Sequence, residues 1–290
     1  MAHEAGISKY ALSGMVASGQ LVRPFRGVYA VAGTADTMDF RVEAVRLVAP
    51  EGAVICDHTA AWLHGADLLP PAADRAVPPV QVFSKHPGNR VRLPDVDSGE
   101  RRLRDSDVVD IQGLRVTSAL RTTCDLGRIR DLPRALANVD GMLALRLFER
   151  HELDAQIRRY RGMRWVTHLR TVVPMADPRA QSPAESMLRF HWVTSGLPQP
   201  VPQHPVHDID GNEIYYLDLL DPVNGVAGEY DGVEFHGEDR RQHDAERRDW
   251  IESHHPISIE VFTRTDLFGP RADPVPKLRR AYRQRTGRWW

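Results

Sequence analysis

Cysteine is scarce in this chain. Only Cys56 and Cys124 occur in 290 residues, too few and too far apart for a disulfide framework or a zinc knuckle. Each is expected to be a small buried apolar residue. No run approaches the ~18 consecutive apolar residues that a membrane span requires, so no membrane partner is expected. Met1 to Tyr10 lack the basic-then-apolar pattern of a secretion signal, which leaves the cytoplasm as the expected compartment. Internal repeats, low-complexity tracts and coiled-coil heptads are also missing. A net charge of −1 lacks the overall basic excess of many nucleic-acid binders. What remains is the composition of an ordinary globular protein, long enough for two domains or more.

The charge is unevenly distributed. Acidic residues collect between Asp208 and Asp249. Arg146, Arg150, Arg158, Arg159, Arg161, Arg164 and Arg170 crowd one segment, and Lys277, Arg279, Arg280, Arg283, Arg285 and Arg288 follow Asp273 with no acid among them. Such stripes suit phosphate contact, and they equally suit solvated helix faces.

Near the N-terminus, Ile7, Ala11, Leu12, Met15 and Val16 repeat at helical spacing, with Ser8 as a candidate cap and Gly19 as a stop. Leu21 to Val31 then reads as a small basic hairpin. Helix plus hairpin predicts a winged-helix-like unit over residues 1–75. Ser8, Lys9, Tyr10 and Ser13 would face a groove, and Lys9, Arg23 and Arg26 are candidate DNA contacts. A helix packed on a hairpin with no ligand is the competing reading. Few residues precede Gly6 to build the supporting first helix of such a motif.

A central mixed α/β region is predicted over 76–175. Residues 39–69 look helical in two pieces. Val80–Phe83 and Arg90–Leu93 alternate like strands, and Val108–Ile111 and Leu114–Thr117 flank a Gln112-Gly113 turn. Helices are expected from Ser118, over Leu132–Leu147 and over His151–Leu169. His58 and His64 lack partners at metal-ligand spacing, so packed or capping roles suit them better.

The densest chemistry lies in residues 176–290. Tyr215 to Leu220 and Val226 to Gly232 flank a turn of Asp221, Pro222, Val223, Asn224 and Gly225. A turn centred between Val223 and Asn224 sets Asp218 opposite Glu229 and Tyr216 opposite Asp231. Because side chains alternate along a strand, Asp218, Glu229 and Asp231 are expected on one face. Carboxylates opposed at about 5 Å need a cation or a solvated location, and an oxygen-rich set suits Mg²⁺ or Mn²⁺. Upstream, Ser182-Pro183-Ala184-Glu185 reads as a helix start, where Glu185 either closes the cap or adds a carboxylate to the site. Downstream, Asp244, Arg247, Arg248 and Ile251 fall on one side of a polar helix. Strand Ile257–Phe262 and helix Val275–Arg285 complete an α/β fold with a mixed sheet.

Ser182 to Arg189, Asp218, Glu229 to Gly232, His236 and Asp244 to Arg247 together resemble the PD-(D/E)xK nuclease superfamily. The closer likeness is to the branch similar to very-short-patch repair endonucleases. Arg26 to Tyr29, His58 to Gly65 and Gly113 to Ser118 resemble AbiEi-type antitoxins of type IV toxin–antitoxin systems. The first resemblance implies a C-terminal restriction-endonuclease-like mixed sheet flanked by helices, with Asp218 and Glu229 as ligands of Mg²⁺ or Mn²⁺. Glu185, Asp231 and His236 would complete the catalytic set, and Arg247 and Arg248 would be further DNA contacts. Asp231 stands where the superfamily carries a Lys, and His236 is the candidate replacement. The fold class expected is thus α/β, α+β overall, and the function a metal-dependent DNA endonuclease. The alternative is a non-enzymatic DNA-binding antitoxin or regulator on a degenerate nuclease fold, with a nucleotidyltransferase-type toxin as genetic neighbour. An RNA-directed nuclease is a weaker third reading.

Overall fold

The computed structural model describes residues 7–50, 52–68, 77–85, 91–94, 96–232 and 238–288, the side chains of 238–241 excepted. The chain is mixed α/β and separates into two compact units, Met1–Leu63 with Asp74–Ser118 and His64–Ala73 with Ala119–Trp290. Among the described residues no helix is long and apolar enough to cross a membrane.

The first unit opens with α1 (Lys9–Ala17), whose cap Ser8 accepts the Ala11 N–H at 3.1 Å. Gly19, at φ 72°, ends that turn of chain. Strands β1 (Leu21–Phe25) and β2 (Val28–Val31) form an antiparallel hairpin. Then come α2 (Met38–Arg46), β3 (Ala53–Ile55) and α3 (Asp57–His64). β4 (Val80–Ser84), β5 (Val96–Glu100), β6 (Val108–Ile111) and β7 (Leu114–Thr117) complete a five-stranded mixed sheet of order β5-β4-β3-β7-β6. Its strands come from both sides of residue 75. The two helical pieces expected over 39–69 are α2 and α3, and the strand Ala53–Ile55 between them lies at the centre of this sheet. Val91–Leu93 is not part of a strand; the strand is Val96–Glu100, paired in parallel with β4. Asp97, Ser98 and Gly99 gave no apolar alternation because β5 is an edge. Gly99 also leaves room for the Phe83 ring, which a Cβ there would meet at 3.0 Å. The β6–β7 hairpin turns through Gln112 and Gly113, both at positive φ. Phe25, Val28, Val42, Val45, Ile55, Val82 and Val116 share one buried core.

In the second unit, α4 (Ala119–Leu126), α5 (Leu132–Ala144), α6 (Arg150–Ile157) and α7 (Val166–Val172) form a helical layer. The single helix expected over His151–Leu169 breaks into two at Gly162 and at Trp165, both in the left-handed region. Helix α8 (Pro183–Thr194) leads to a four-stranded mixed sheet. Its strands are β8 (Val201–His207), β9 (Glu213–Asp221), β10 (Val226–Tyr230) and, after helix α9 (Glu238–His254), β11 (Ser258–Phe262). The order is β11-β10-β9-β8, with β10 and β11 parallel. Helices α10 (Arg264–Leu267) and α11 (Val275–Thr286) follow. β8 is absent from the sequence reading because Pro202 and Pro205 interrupt it; prolines are tolerated on a sheet edge, where β8 lies.

Alternation along β9 and β10 sorts their side chains. Leu219 and Val226 meet Leu188 and Trp192 of α8 and Leu278 and Tyr282 of α11, while Leu220 and Ala227 meet Ile251 of α9. Gly228 is required by the first of these contacts, because a Cβ there would stand 2.9 Å from the Trp192 ring. Full burial of Trp192, Tyr282 and Phe262 is worth roughly 2–3 kcal/mol each relative to exposure. The β9–β10 turn is tied to this core. Buried Asp221 accepts hydrogen bonds from Val223 N, from the Asn224 side chain at 2.7 Å and from the Tyr282 hydroxyl at 2.7 Å. Gly225 is at φ 65°, and a Cβ on it would strike the Pro256 carbonyl.

Candidate functional site

The pairs Val226–Asp221, Ala227–Leu220 and Gly228–Leu219 fix the β9–β10 register. Continued by one step, it sets Asp218 opposite Glu229, as the turn residues predicted. On the other side of β9, Gln203 falls opposite Asp218, between the pairs Pro202–Leu219 and His204–Leu217. Gln203, Asp218 and Glu229 thus form a row across three adjacent strands.

Each carboxylate in this region already carries donors. Asp218 Oδ2 accepts the Tyr230 N–H at 2.8 Å. Glu185 lies in the first turn of α8, its N–H donating to the Ser182 cap at 3.2 Å. Its Oε2 accepts from Gln181 N at 3.0 Å and from Gln203 Nε2 at 2.8 Å. The Glu185 carboxylate thus holds the residue before the Ser182 cap, and its charge acts on Asp218. Gln203 reaches it from a left-handed backbone, φ 50°, a conformation that is costly for a residue with a Cβ. No sequence signal marked Gln203.

Glu229 is the most constrained member. Arg247 Nη2 donates to both of its carboxylate oxygens at 2.7 Å, and Arg247 Nη1 lies 3.4 Å from the Tyr216 carbonyl. Four residues after Arg247, Ile251 is buried against β9 and β10, so one face of α9 carries both the apolar anchor and the guanidinium. Burial pushes the Asp218 carboxyl up to about 7, helped by the negative charge of Glu185 and, more weakly, of Glu229. Burial also raises Glu229, against the pull of Arg247.

Glu185 brings a further carboxylate whose charge acts on Asp218. Asp231 lies one residue beyond β10, its N–H donating to the Phe262 carbonyl at 2.8 Å. His236 lies outside the described residues. Arg247 is turned onto Glu229 rather than toward solvent, and Arg248 acts electrostatically on Glu229 as well. Among the described residues no three His, Cys, Asp or Glu side chains are grouped to hold a metal ion. Arg247 holds both oxygens of Glu229, so a divalent ion shared between Asp218 and Glu229 would have to displace that guanidinium.

The N-terminal candidates are placed differently. Lys9, Tyr10, Ser13, Arg23 and Arg26 are all exposed, Tyr10 at 91%. Arg23 lies over the Tyr29 ring, 5.7 Å from its centroid. Leu12 on α1 and Phe25 and Val28 on the hairpin are buried beneath them.

A buried ion pair escaped the sequence reading. Arg189 of α8 donates to Asp140 of α5 and to the Met175 carbonyl, while Asp140 also accepts the Asp177 N–H at 2.8 Å. Burial pushes Asp140 up to about 6 even against the Arg189 charge. The two residues stand 49 positions apart, and nothing in their local sequence pairs them.

Residues 1–32 match the family model described as "Transcriptional regulator, AbiEi antitoxin", and residues 53–175 match "AbiEi antitoxin C-terminal domain". Uncharacterized protein Rv2248 of Mycobacterium tuberculosis (strain ATCC 25618 / H37Rv) is 31% identical over 230 residues, which cover 79% of this chain and 80% of that protein. Uncharacterized protein MT2308 of strain CDC 1551 / Oshkosh matches to the same extent. The chain carries AbiEi antitoxin domains and belongs to one family with these mycobacterial proteins. Lys9, Arg23 and Arg26 fall inside the first AbiEi match, whereas Glu185, Asp218, Glu229 and Arg247 lie beyond the second. No solved structure matches the chain.

Proposed function

We propose that this chain is an antitoxin-type transcriptional regulator that binds DNA through its N-terminal helix and hairpin. Its C-terminal sheet, on this reading, is a restriction-endonuclease-like scaffold without hydrolytic activity. The observation that carries the reading is the exposed set Lys9, Tyr10, Ser13, Arg23 and Arg26, built on α1 and the β1–β2 hairpin inside the segment that matches the AbiEi transcriptional-regulator model. The hairpin cations are free to meet phosphates, while α1 presents a tyrosine and a serine beside Lys9. The seating of Arg247 on Glu229 supports the non-hydrolytic half. A toxin encoded beside the gene is the partner this reading expects.

The test is fluorescence anisotropy with DNA from upstream of the protein's own coding region, in the absence of metal. Saturable binding that weakens steeply with salt, and that Lys9→Ala, Arg23→Ala and Arg26→Ala together remove, is the expected result. Undiminished binding by the triple variant would overturn the assignment of the surface. Cleavage of DNA with Mg²⁺ or Mn²⁺, lost in Asp218→Asn, would restore the endonuclease reading. That reading draws on the gathering of Glu185, Asp218 and Glu229, and it asks Glu229 to release Arg247.

A further inference from the structure

We infer that Arg247 is the resident counter-cation of the carboxylate row and closes it to divalent metal, so that removing its guanidinium opens a divalent-cation site on Asp218 and Glu229. This inference rests on the non-hydrolytic reading of the C-terminal sheet and gives that reading a physical cause.

The strand register brings Asp218 and Glu229 side by side, and like charges so placed repel. Glu185 adds a further carboxylate from α8. A cation must therefore sit nearby or the group must hold protons. The chain supplies that cation from α9. Ile251 sits among Leu220, Ala227 and Val206, which fixes the rotation of the helix about its axis. Arg247, one turn earlier, then reaches Glu229 without leaving the packed face. Nη2 bridges the two oxygens at 2.7 Å, the second edge of the guanidinium points at the Tyr216 carbonyl, and the Tyr215 ring lies 5.8 Å away. The Arg247 side chain is 20% exposed and that of Glu229 is 6% exposed, so the pair is shielded from water and salt. A divalent ion bridging Asp218 and Glu229 needs a Glu229 oxygen that the guanidinium already holds. It would have to displace a partner that the α9 tether keeps at a high effective concentration.

The test is a Mn²⁺ titration followed by electron paramagnetic resonance on the full chain. The samples are wild type, Arg247→Met, Arg247→Met with Asp218→Asn, and Arg247→Met with Glu229→Gln. Wild type is expected to take up no Mn²⁺ saturably. Arg247→Met is expected to bind one ion at least about tenfold more tightly, to melt at higher temperature as Mn²⁺ is added, and to lose both properties in either double variant. Wild-type uptake of one Mn²⁺ that Glu229→Gln abolishes would overturn the inference. So would an Arg247→Met protein that is folded by circular dichroism yet binds none. Should Arg247→Met not fold, wild type answers directly. The Arg247 guanidinium NMR signal, assigned with Arg247→Lys, is expected to keep its linewidth as Mn²⁺ is added. Its selective broadening would sink the inference. A wild type that binds Mn²⁺ there while binding and not cutting DNA overturns this inference alone. A wild type that binds neither ion nor DNA overturns the regulator reading alone.

Discussion

The N-terminal helix and hairpin and the C-terminal sheet use their cations in opposite ways. Lys9, Arg23 and Arg26 project into solvent above a thin apolar base of Leu12, Phe25 and Val28. In the C-terminal unit Arg247, Arg189 and Lys277 are turned inward. Arg247 holds Glu229, Arg189 holds Asp140, and Lys277 lies 3.2 Å from Asp266 and 3.7 Å from Glu260. The basic C-terminal stripe, which in sequence looked suited to phosphate, is largely fastened to the protein itself: Arg280 to Glu260, Arg279 to the Ser195 carbonyl and Arg285 to the Pro256 carbonyl. A run of arginines therefore says little about nucleic acid until its partners are known. The partner a cation already holds, together with its burial, separates one available to a ligand from one that stabilises a fold.

That contrast can be broken most sharply at Arg189. Arg189→Met leaves the Asp140 carboxylate buried and unpaired, and should destabilise the chain by about 3–5 kcal/mol in urea unfolding. Asp140 stands at about 6 in the folded protein, above its ordinary 3.8, so its contribution is complete below about pH 4 and lost as pH rises through 6. The Arg189→Met deficit should accordingly be smaller at pH 4 than at pH 7. An equal deficit at both would deny the ion pair its role.

Arg247→Met should cost somewhat less, roughly 2–3 kcal/mol in metal-free buffer, because this pair is nearer the surface. Adding Glu229→Gln should recover most of the loss, since the double variant buries no charge. A double-mutant cycle with no coupling between the two positions would remove Arg247 from the interior set.

Asp218→Asn tests the same region with the opposite sign. The carboxyl stands at about 7 when folded against an ordinary 3.8. Its folded state prefers the proton, and the stability it contributes is present below about pH 4 and lost as pH rises through 7. Asp218→Asn, which cannot ionise, should be roughly 1–2 kcal/mol more stable than wild type at pH 8 and little different at pH 4. Greater stability of wild type at pH 8 would show that burial and like charge do not together raise the Asp218 carboxyl.

The smallest effect on stability belongs to the N-terminus. Arg23→Ala and Arg26→Ala should each change stability by less than about 0.5 kcal/mol. Each should lower the salt slope of DNA binding by about one. A large loss of stability would move these arginines into the same class as Arg189.

Much of the C-terminal sheet could be read from the chain. Asp221, Pro222, Asn224 and Gly225 announce one turn, and the turn sets the register that brings Asp218 beside Glu229. Ser182 and Pro183 announce α8. Other elements were hidden for physical reasons. β8 carries Pro202 and Pro205, which only an edge position tolerates, and β5 carries Asp97, Ser98 and Gly99, whose pairing with β4 overrides a weak local preference. Within the site, helical spacing put Arg247 on the face of α9 with Ile251 but could not say what that face would meet.

Local rules are short in range, and they settled what is short in range: caps, turns, alternation and the opposition of two strands across five turn residues. The destinations of long, charged side chains were settled by packing. Arg189 finds Asp140 across 49 positions, and Arg247 finds Glu229 across 18. Those meetings exist only once helices have docked and water has been excluded, because a buried charge accepts no arrangement in which it stands alone.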